Sequence, residues 1–103
     1  MVKMNFGRVL EAAVGKRPCD LLLRNCKIVD VFSCETFDGN VGVSDGTIVG
    51  FEDYDATKEM DLKGKYVSPG FFDAHLHLES SMVTPAQYAL SVVPQGTTSI
   101  VAD

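Results

Sequence analysis

Histidine is nearly absent from this sequence: 103 residues contain two, His75 and His77. A catalytic metal ordinarily takes three or more protein ligands, so the chain is expected to hold only part of such a site. Positive charge is also in short supply. Nine Lys and Arg stand against fourteen Asp and Glu, a formal net charge of −5. That balance argues against nucleic acid and against an anionic membrane surface as partners. No apolar run approaches the roughly 20 residues of a membrane span. Arg8 and Glu11 interrupt the apolar residues between Met1 and Lys16, so no secretory signal is expected. The cysteines Cys19, Cys26 and Cys34 are odd in number and lack C-x-x-C spacing. We read them as reduced thiols of a cytoplasmic protein, ahead of a disulfide framework or a cysteine metal site.

What is present is one domain's worth of chain at most, with 46% hydrophobic residues and one stretch around which the rest is arranged. Asp73-Ala74-His75-Leu76-His77-Leu78-Glu79 alternates polar and apolar, the period of a β-strand. One face carries Asp73, His75, His77 and Glu79; the other carries Phe72, Ala74, Leu76 and Leu78. Ionisable groups are costly in a core unless paired or bound to metal. Imidazoles at i and i+2 on a strand leave it on the same side, about 6–7 Å apart at their roots, and both can reach one cation.

Before that stretch, Phe6, Val9, Leu10, Ala13 and Val14 form a helical stripe, with Asn5 as N-cap, Gly15 as C-cap and Pro18 as a stop. Residues 20–25 and 27–32 read as two short strands, and Asp38-Gly39 as a turn. Residues 40–44 and 47–51 flank Asp45-Gly46, the clearest hairpin. Residues 53–58 read as a loop, and 59–62 with 65–68 as a further hairpin about Lys63-Gly64. Residues 1–68 are therefore expected to form a helix and a thin antiparallel β-unit that needs a partner for its open face.

Ser68-Pro69-Gly70 breaks this pattern. Beyond it, residues 69–103 read as β-α-β: a strand from Phe71 to Leu78, a polar bend at Glu79-Ser80-Ser81, a helix from Thr84 to about Val93, and a β-branched strand from Thr97 to Ala102. Thr84 is placed as N-cap, Pro85 at the first helical position, and Gln87 closes a capping box. The whole is expected to be α+β. A parallel strand pair needs cover on both faces, so we expect the N-terminal piece of a longer protein.

In barrels built from β-α-β repeats, active sites sit at the C-terminal ends of the strands. His75 and His77 lie at that end and are the candidate metal ligands. Asp73 sits lower, expected to hold a histidine or a loop by hydrogen bonds rather than to touch the metal. Glu79 is either on the substrate side or behind a ligand, or belongs to a solvated loop with Ser80-Ser81. Asp103 is a rim residue or simply a strand-end turn. Met82 is expected to pack. A cation held by imidazoles makes hydroxide available near neutral pH, which suits hydrolytic attack at a C–N centre.

Residues 69–77, Pro-Gly-Phe-Phe-Asp-Ala-His-Leu-His, resemble the P-G-F/L-I/V/F-D-x-H-x-H signature of the amidohydrolase superfamily. Within it, Leu78-Glu79-Ser80-Ser81-Met82-Val83-Thr84-Pro85, together with Gly96-Thr97-Thr98 and Val101-Ala102-Asp103, resembles the bacterial and archaeal adenine deaminase family. The upstream runs Asp20–Asn25, Asp45–Gly50 and Asp61–Val67 fit as well, so nearly the whole chain is covered. Asn25-Cys26, where that family often has Asn-Gly, and Phe72 in place of Ile are mild departures.

The resemblance implies a full-length parent that is α/β overall. Residues up to 68 would belong to a β-sandwich completed by C-terminal strands, and 69 onward would open a metal-dependent (β/α)8 barrel. The implied reaction is hydrolysis of adenine to hypoxanthine and ammonia in purine salvage, with manganese or iron, or zinc, activating water. His75 and His77 match the first-strand ligands; the other ligands and the acid/base group lie on later strands. The implied partner is a small-molecule purine, with no nucleic acid and no membrane, and the full-length protein is expected to be a cytoplasmic homo-oligomer. This piece alone is expected to bind metal weakly and to be inactive. Rival readings are another cyclic amidohydrolase (dihydroorotase, hydantoinase or deacetylase type), disfavoured by the Glu79–Met82 run, and a non-catalytic β-domain that mediates assembly with idle histidines.

Overall fold

A computed structural model describes residues 3–102, and the chain divides into two compact units, Met1–Ser68 and Pro69–Asp103. The first begins with helix α1 (Phe6–Ala13). The Asn5 side chain accepts the Arg8 backbone N–H at 3.3 Å, satisfying one of the amides a helix start leaves unpaired. The cap at the other end is Val14, with Gly15 one step beyond it at φ +77°. Val9 and Ala12 are buried, and α1 packs on the sheet below.

That sheet is built on β1 (Cys19–Asp30), one long strand where two short ones were expected. Asn25 at φ +55° makes an irregularity between Leu23 and Cys26, and the pairing with β2 (Glu35–Ser44) continues on both sides of it. Asp38-Gly39 does not turn the chain. Both residues lie inside β2, opposite Lys27 and Cys26, and the Asp38 carboxylate is 3.1 Å from the Lys27 Nζ. The reversal occurs at residues 31–34 instead, where the Asp30 carboxylate accepts N–H groups from Phe32 at 2.9 Å and Ser33 at 3.4 Å. A side chain that mimics a turn carbonyl is an Asx turn, and here it outcompetes the Asp-Gly pair. The second hairpin is as expected: Ser44 pairs with Thr47 of β3 (Thr47–Gly50), across Asp45 at φ +54° and Gly46 at φ +72°. Two left-handed residues are what a type I′ turn requires.

The antiparallel expectation fails beyond this point. Residues 53–58 are not all loop: β4 (Ala56–Asp61) pairs parallel with β1, from Cys19↔Ala56 to Arg24↔Asp61. The short β5 (Tyr66–Val67) also pairs parallel with β1, at Lys27 and Ile28. Lys63-Gly64 is therefore not a hairpin tip but an excursion between two segments on one edge of β1. It matches the irregularity at Asn25, since Leu62 N–H donates to the Arg24 carbonyl at 2.9 Å and Gly64 N–H to the Asn25 carbonyl at 2.7 Å. The sheet is mixed, in the order β3-β2-β1-β4, with β5 beside β1. Long-range polar contacts fix this arrangement: Arg24 donates to Glu59 at 2.9 and 3.0 Å and to Asp53 at 2.8 Å, and the Asn25 side chain donates to Asp61 at 3.1 Å.

The core of this unit gathers Cys26, Ile28 and Val41, with Leu23, Val43, Leu62 and Val67 packed against them. Cys19 and Leu22 are fully buried. Tyr54 lies against two glycines that face each other across β2 and β3, Gly42 and Gly50, and a β-carbon at either would run into its ring or hydroxyl. All three cysteines are free thiols, Cys34 exposed and the others buried. Burial pushes the Cys26 thiol up from its ordinary value, which keeps it protonated and unreactive.

The second unit is β-α-β. Strand β6 (Phe71–Leu76) pairs parallel with β7 (Thr97–Ala102), and α2 (Pro85–Val92) lies between them in sequence. Thr84 and Gln87 form the expected reciprocal capping box, with Pro85 at the helix start. A short 3-10 turn (Val93–Gln95) and Gly96 at φ +106° follow the helix. Strand β6 stops at Leu76, two residues earlier than the alternation predicts, and Leu78–Ser81 forms a 3-10 turn with His77 as its N-cap. No described residue from 69 to 102 is buried. Among the described residues, no helix is long and apolar enough to cross a membrane.

Candidate metal centre

The two histidines sit where β6 ends. His75 is still in the strand, and His77 is extended, at φ −102° and ψ 94°, immediately before the 3-10 turn. Their rings converge. Nε2 of His75 lies 3.1 Å from Nε2 of His77, with ring centroids 4.9 Å apart and planes crossing at 77°. The rings do not stack; they meet nitrogen to nitrogen. Both residues are exposed, so a solute can reach the pair.

Two carboxylates flank it, each doing something different. The Asp73 carboxylate accepts the backbone N–H of His75 at 3.1 Å. It thus grips the main chain that carries the first ring, at a place where the β6–β7 register shifts between Asp73 and Leu76. Glu79 reaches the second ring: its Oε1 lies 3.3 Å from Nδ1 of His77. A continuous strand would carry Glu79 away from His77 along its axis. The turn that begins at Leu78 brings it back instead, so this contact depends on the early end of the strand. Sequence alternation put the two residues on one face but did not show that they touch.

Other candidates fall differently. Met82, expected to pack, is 92% exposed at φ +59°. Ser81 Oγ donates to the Leu78 carbonyl and Ser80 N–H to the His77 carbonyl, so the serines tie down the turn after the pair. Asp103 lies outside the described residues.

Two imidazoles are a suitable donor set for zinc or for manganese and iron in the divalent state. A separation of 3.1 Å is one that two bonds of about 2.0–2.1 Å span from a common centre. The pair therefore fits half of a metal centre. Among the described residues, no three His, Cys, Asp or Glu side chains come together as a cation site.

Comparison with known proteins shows what the chain is similar to. No protein-family model matches the chain. Adenine deaminase of Petrotoga mobilis is 48% identical over 95 residues, 92% of this chain and 17% of that protein. Adenine deaminase of Kosmotoga olearia is 48% identical over 101 residues, 97% of this chain and 18% of that protein. Adenine deaminase 2 of Desulfotalea psychrophila is 42% identical over all 103 residues, again 18% of that protein. The chain is similar to adenine deaminases along nearly its whole length, as their N-terminal part. It spans less than a fifth of the length of these relatives.

Two solved structures superpose on most of this chain. N-acyl-D-glutamate deacylase from Bordetella bronchiseptica, in complex with zinc and a phosphonate inhibitor, superposes with a TM-score of 0.68 at 27% identity, covering 84% of this chain and 19% of that one. L-hydantoinase from Arthrobacter aurescens superposes with a TM-score of 0.65 at 24% identity over 82% of this chain and 20% of its own. Both are amidohydrolases, and this chain, a small α+β piece, is similar to about a fifth of the length of each.

Proposed function

We propose that this chain is the N-terminal part of a metal-dependent adenine deaminase that hydrolyses adenine to hypoxanthine and ammonia. The observation that carries the proposal is the coincidence of two independent facts. The sequence is 48% identical to an adenine deaminase, and the only two histidines in it bring their Nε2 atoms to 3.1 Å from one another.

In this reading a divalent metal, manganese or iron, supplies a water ionised near neutral pH. This chain's part is to hold and to orient. His75 and His77 would hold the metal, the Nε2 atoms of the two rings being the ones that face each other. Asp73 pins the backbone of His75 at the strand end, so the first ring cannot drift out of line with the second. The turn at Leu78–Ser81 follows the second ring directly and brings Glu79 Oε1 to 3.3 Å from Nδ1 of His77. Overall, water attacks the ring carbon that bears the amino group, the C–N bond breaks, and the amine leaves as ammonia. The remaining ligands and the group that protonates the departing amine come from the part of the relatives that these 103 residues do not span. We further propose that residues 1–68 contribute part of a β-sandwich and residues 69–103 the first strands of a (β/α)8 barrel.

The test is a His75→Ala, His77→Ala double change in the full-length protein. Both metal content by elemental analysis and ammonia release from adenine should fall, the latter by at least about a thousandfold, since a metal contributes several kcal/mol to the transition state. Undiminished metal content would refute the proposal. The 103-residue chain alone should release no ammonia.

A further inference from the structure

We propose that Thr98, seated over Gly70, is a positioning residue for the histidine pair. It makes a one-residue bulge in β7 that a second bulge at Ala74-His75 of β6 cancels, and the matched bulges set where His75 stands beside His77. The proposal rests on the metal reading above and deepens it, by naming what fixes the geometry of the two rings.

Strands β6 and β7 are each six residues long, and they begin and end in step, at Phe71↔Thr97 and Leu76↔Ala102. Between those ends they are out of step. Phe72 lies opposite Ser99, so Thr98 is one residue too many in β7. Asp73 lies opposite Ile100, so Ala74 and His75 together face Val101 alone, and the extra residue is now in β6. Bulges are rare between parallel strands, and they gather beside functional sites, where they re-aim a side chain. Neither of these two can stand alone. Strands of equal length that start and finish in step hold an extra residue in one only if the other holds one too. The second bulge contains the first histidine.

Side chains account for both. The Thr98 side chain occupies the space that a β-carbon on Gly70 would need. Threonine is branched at Cβ and stiff about χ1, so it acts as a wedge against the bare backbone of Gly70. The residue pair next to it is pinned. Phe71 N–H donates to the Gly96 carbonyl at 2.8 Å, and a β-carbon on Gly96 would stand 2.9 Å from the Phe71 ring. At the other end, the Asp73 carboxylate accepts the His75 N–H at 3.1 Å, which gives an amide within the second bulge an acceptor. A bulge bends its strand and turns the side chains it carries. Straightening β6 would therefore move the His75 ring relative to that of His77, whose Nε2 atoms now lie 3.1 Å apart.

NMR of the 103-residue chain reads the register directly. Nuclear Overhauser contacts should link the Phe72 backbone with Ser99, passing over Thr98, and should link the two imidazole rings. Gly70→Ala and Thr98→Gly should each abolish the contact between the rings, whereas Thr98→Val, which keeps the branched shape, should retain it. In the full-length protein, zinc affinity measured by competition with a chelator should fall about tenfold or more for Gly70→Ala and Thr98→Gly, and should be unchanged for Thr98→Val. If Gly70→Ala does not fold, Thr98→Gly against Thr98→Val carries the same comparison. Phe72 found opposite Thr98 in the unsubstituted chain overturns the proposal. Variants that melt at lower temperature yet keep the ring contact and the zinc affinity also overturn it, since Thr98 and Gly70 would then support the fold alone. An unsubstituted protein that takes up no zinc overturns the metal reading, while the ring contact in the variants still decides whether Thr98 positions the pair.

Discussion

Residues 3–68 bury Cys19, Leu22 and Cys26 almost completely, whereas no described residue from 69 to 102 is buried at all. The first unit is held by a core. The second is held by local devices: a capping box at Thr84, a left-handed glycine after the helix, and the strand pair itself. Yet the second unit carries both histidines. Phe71, Phe72, Leu90, Val93 and Val101 are all exposed there, on a parallel pair of the kind that elsewhere is covered on both faces. Stability and chemistry are thus allotted to different parts of the chain. The stable part contains no candidate ligand, and the candidate ligands sit where the chain's own residues provide least burial.

Paired substitutions test that contrast most directly. Leu22→Ala should destabilise the first unit by about 2–5 kcal/mol, as emptying a closed core site does. Leu90→Ala, on a residue that is 77% exposed, should stay within about 0.5 kcal/mol. Urea unfolding followed by circular dichroism measures both, and a Leu90→Ala cost equal to that of Leu22→Ala would break the comparison.

Next in size, Gly50→Ala should displace Tyr54, which occupies the space a β-carbon would need. Overpacking of this sort costs about 1–3 kcal/mol, read as a lower urea midpoint with an unchanged slope. In the second unit, Thr84→Ala removes a hydroxyl that accepts the Gln87 N–H. A lost N-cap costs typically about 1 kcal/mol, and hydrogen exchange should speed up at the start of α2 while β1 amides are unaffected.

Acid should act on the first unit by a smaller margin. Asp30 lies below the usual carboxylate value because the Phe32 backbone N–H bonds to it, Glu59 because of the Arg24 guanidinium, and Asp61 because of the Lys63 backbone N–H. A carboxyl whose folded value is depressed adds stability above its unfolded value, about 3.9 for Asp and 4.3 for Glu. That contribution is lost as pH falls through the lowered folded value. Stability should therefore drop on acidification below about pH 4, modestly, because these groups are exposed. Asp30→Asn should flatten part of that slope, and an unchanged slope would remove the Asx turn from the account.

The contrast also explains what sequence reading could and could not see. Signals that act within a few residues were legible: the Asn5 cap, the Asp45-Gly46 hairpin, the Thr84–Gln87 box and the β-branched β7. The failures lie where a distant partner decides. Asp38-Gly39 looks like a turn until Lys27 and Cys26 pair with it across β2. Residues 53–58 look like a loop until the start of β4 pairs parallel with β1 and Arg24 binds Glu59 and Asp53. Two apparent strands become one because the Asn25 irregularity is matched by the excursion at residues 62–65.

By itself, the sequence determined that two histidines stand two residues apart at the end of one strand, and that this strand begins after a Pro-Gly break. Spacing along a backbone of fixed geometry needs no partner to be read. The direction of β4 and β5 along β1, and the early end of β6 that turns Glu79 back onto His77, were decided only by the tertiary structure. The free energy of those choices lies in contacts between residues far apart in sequence, or in the competition between a strand and a turn, and neither is encoded in a local pattern.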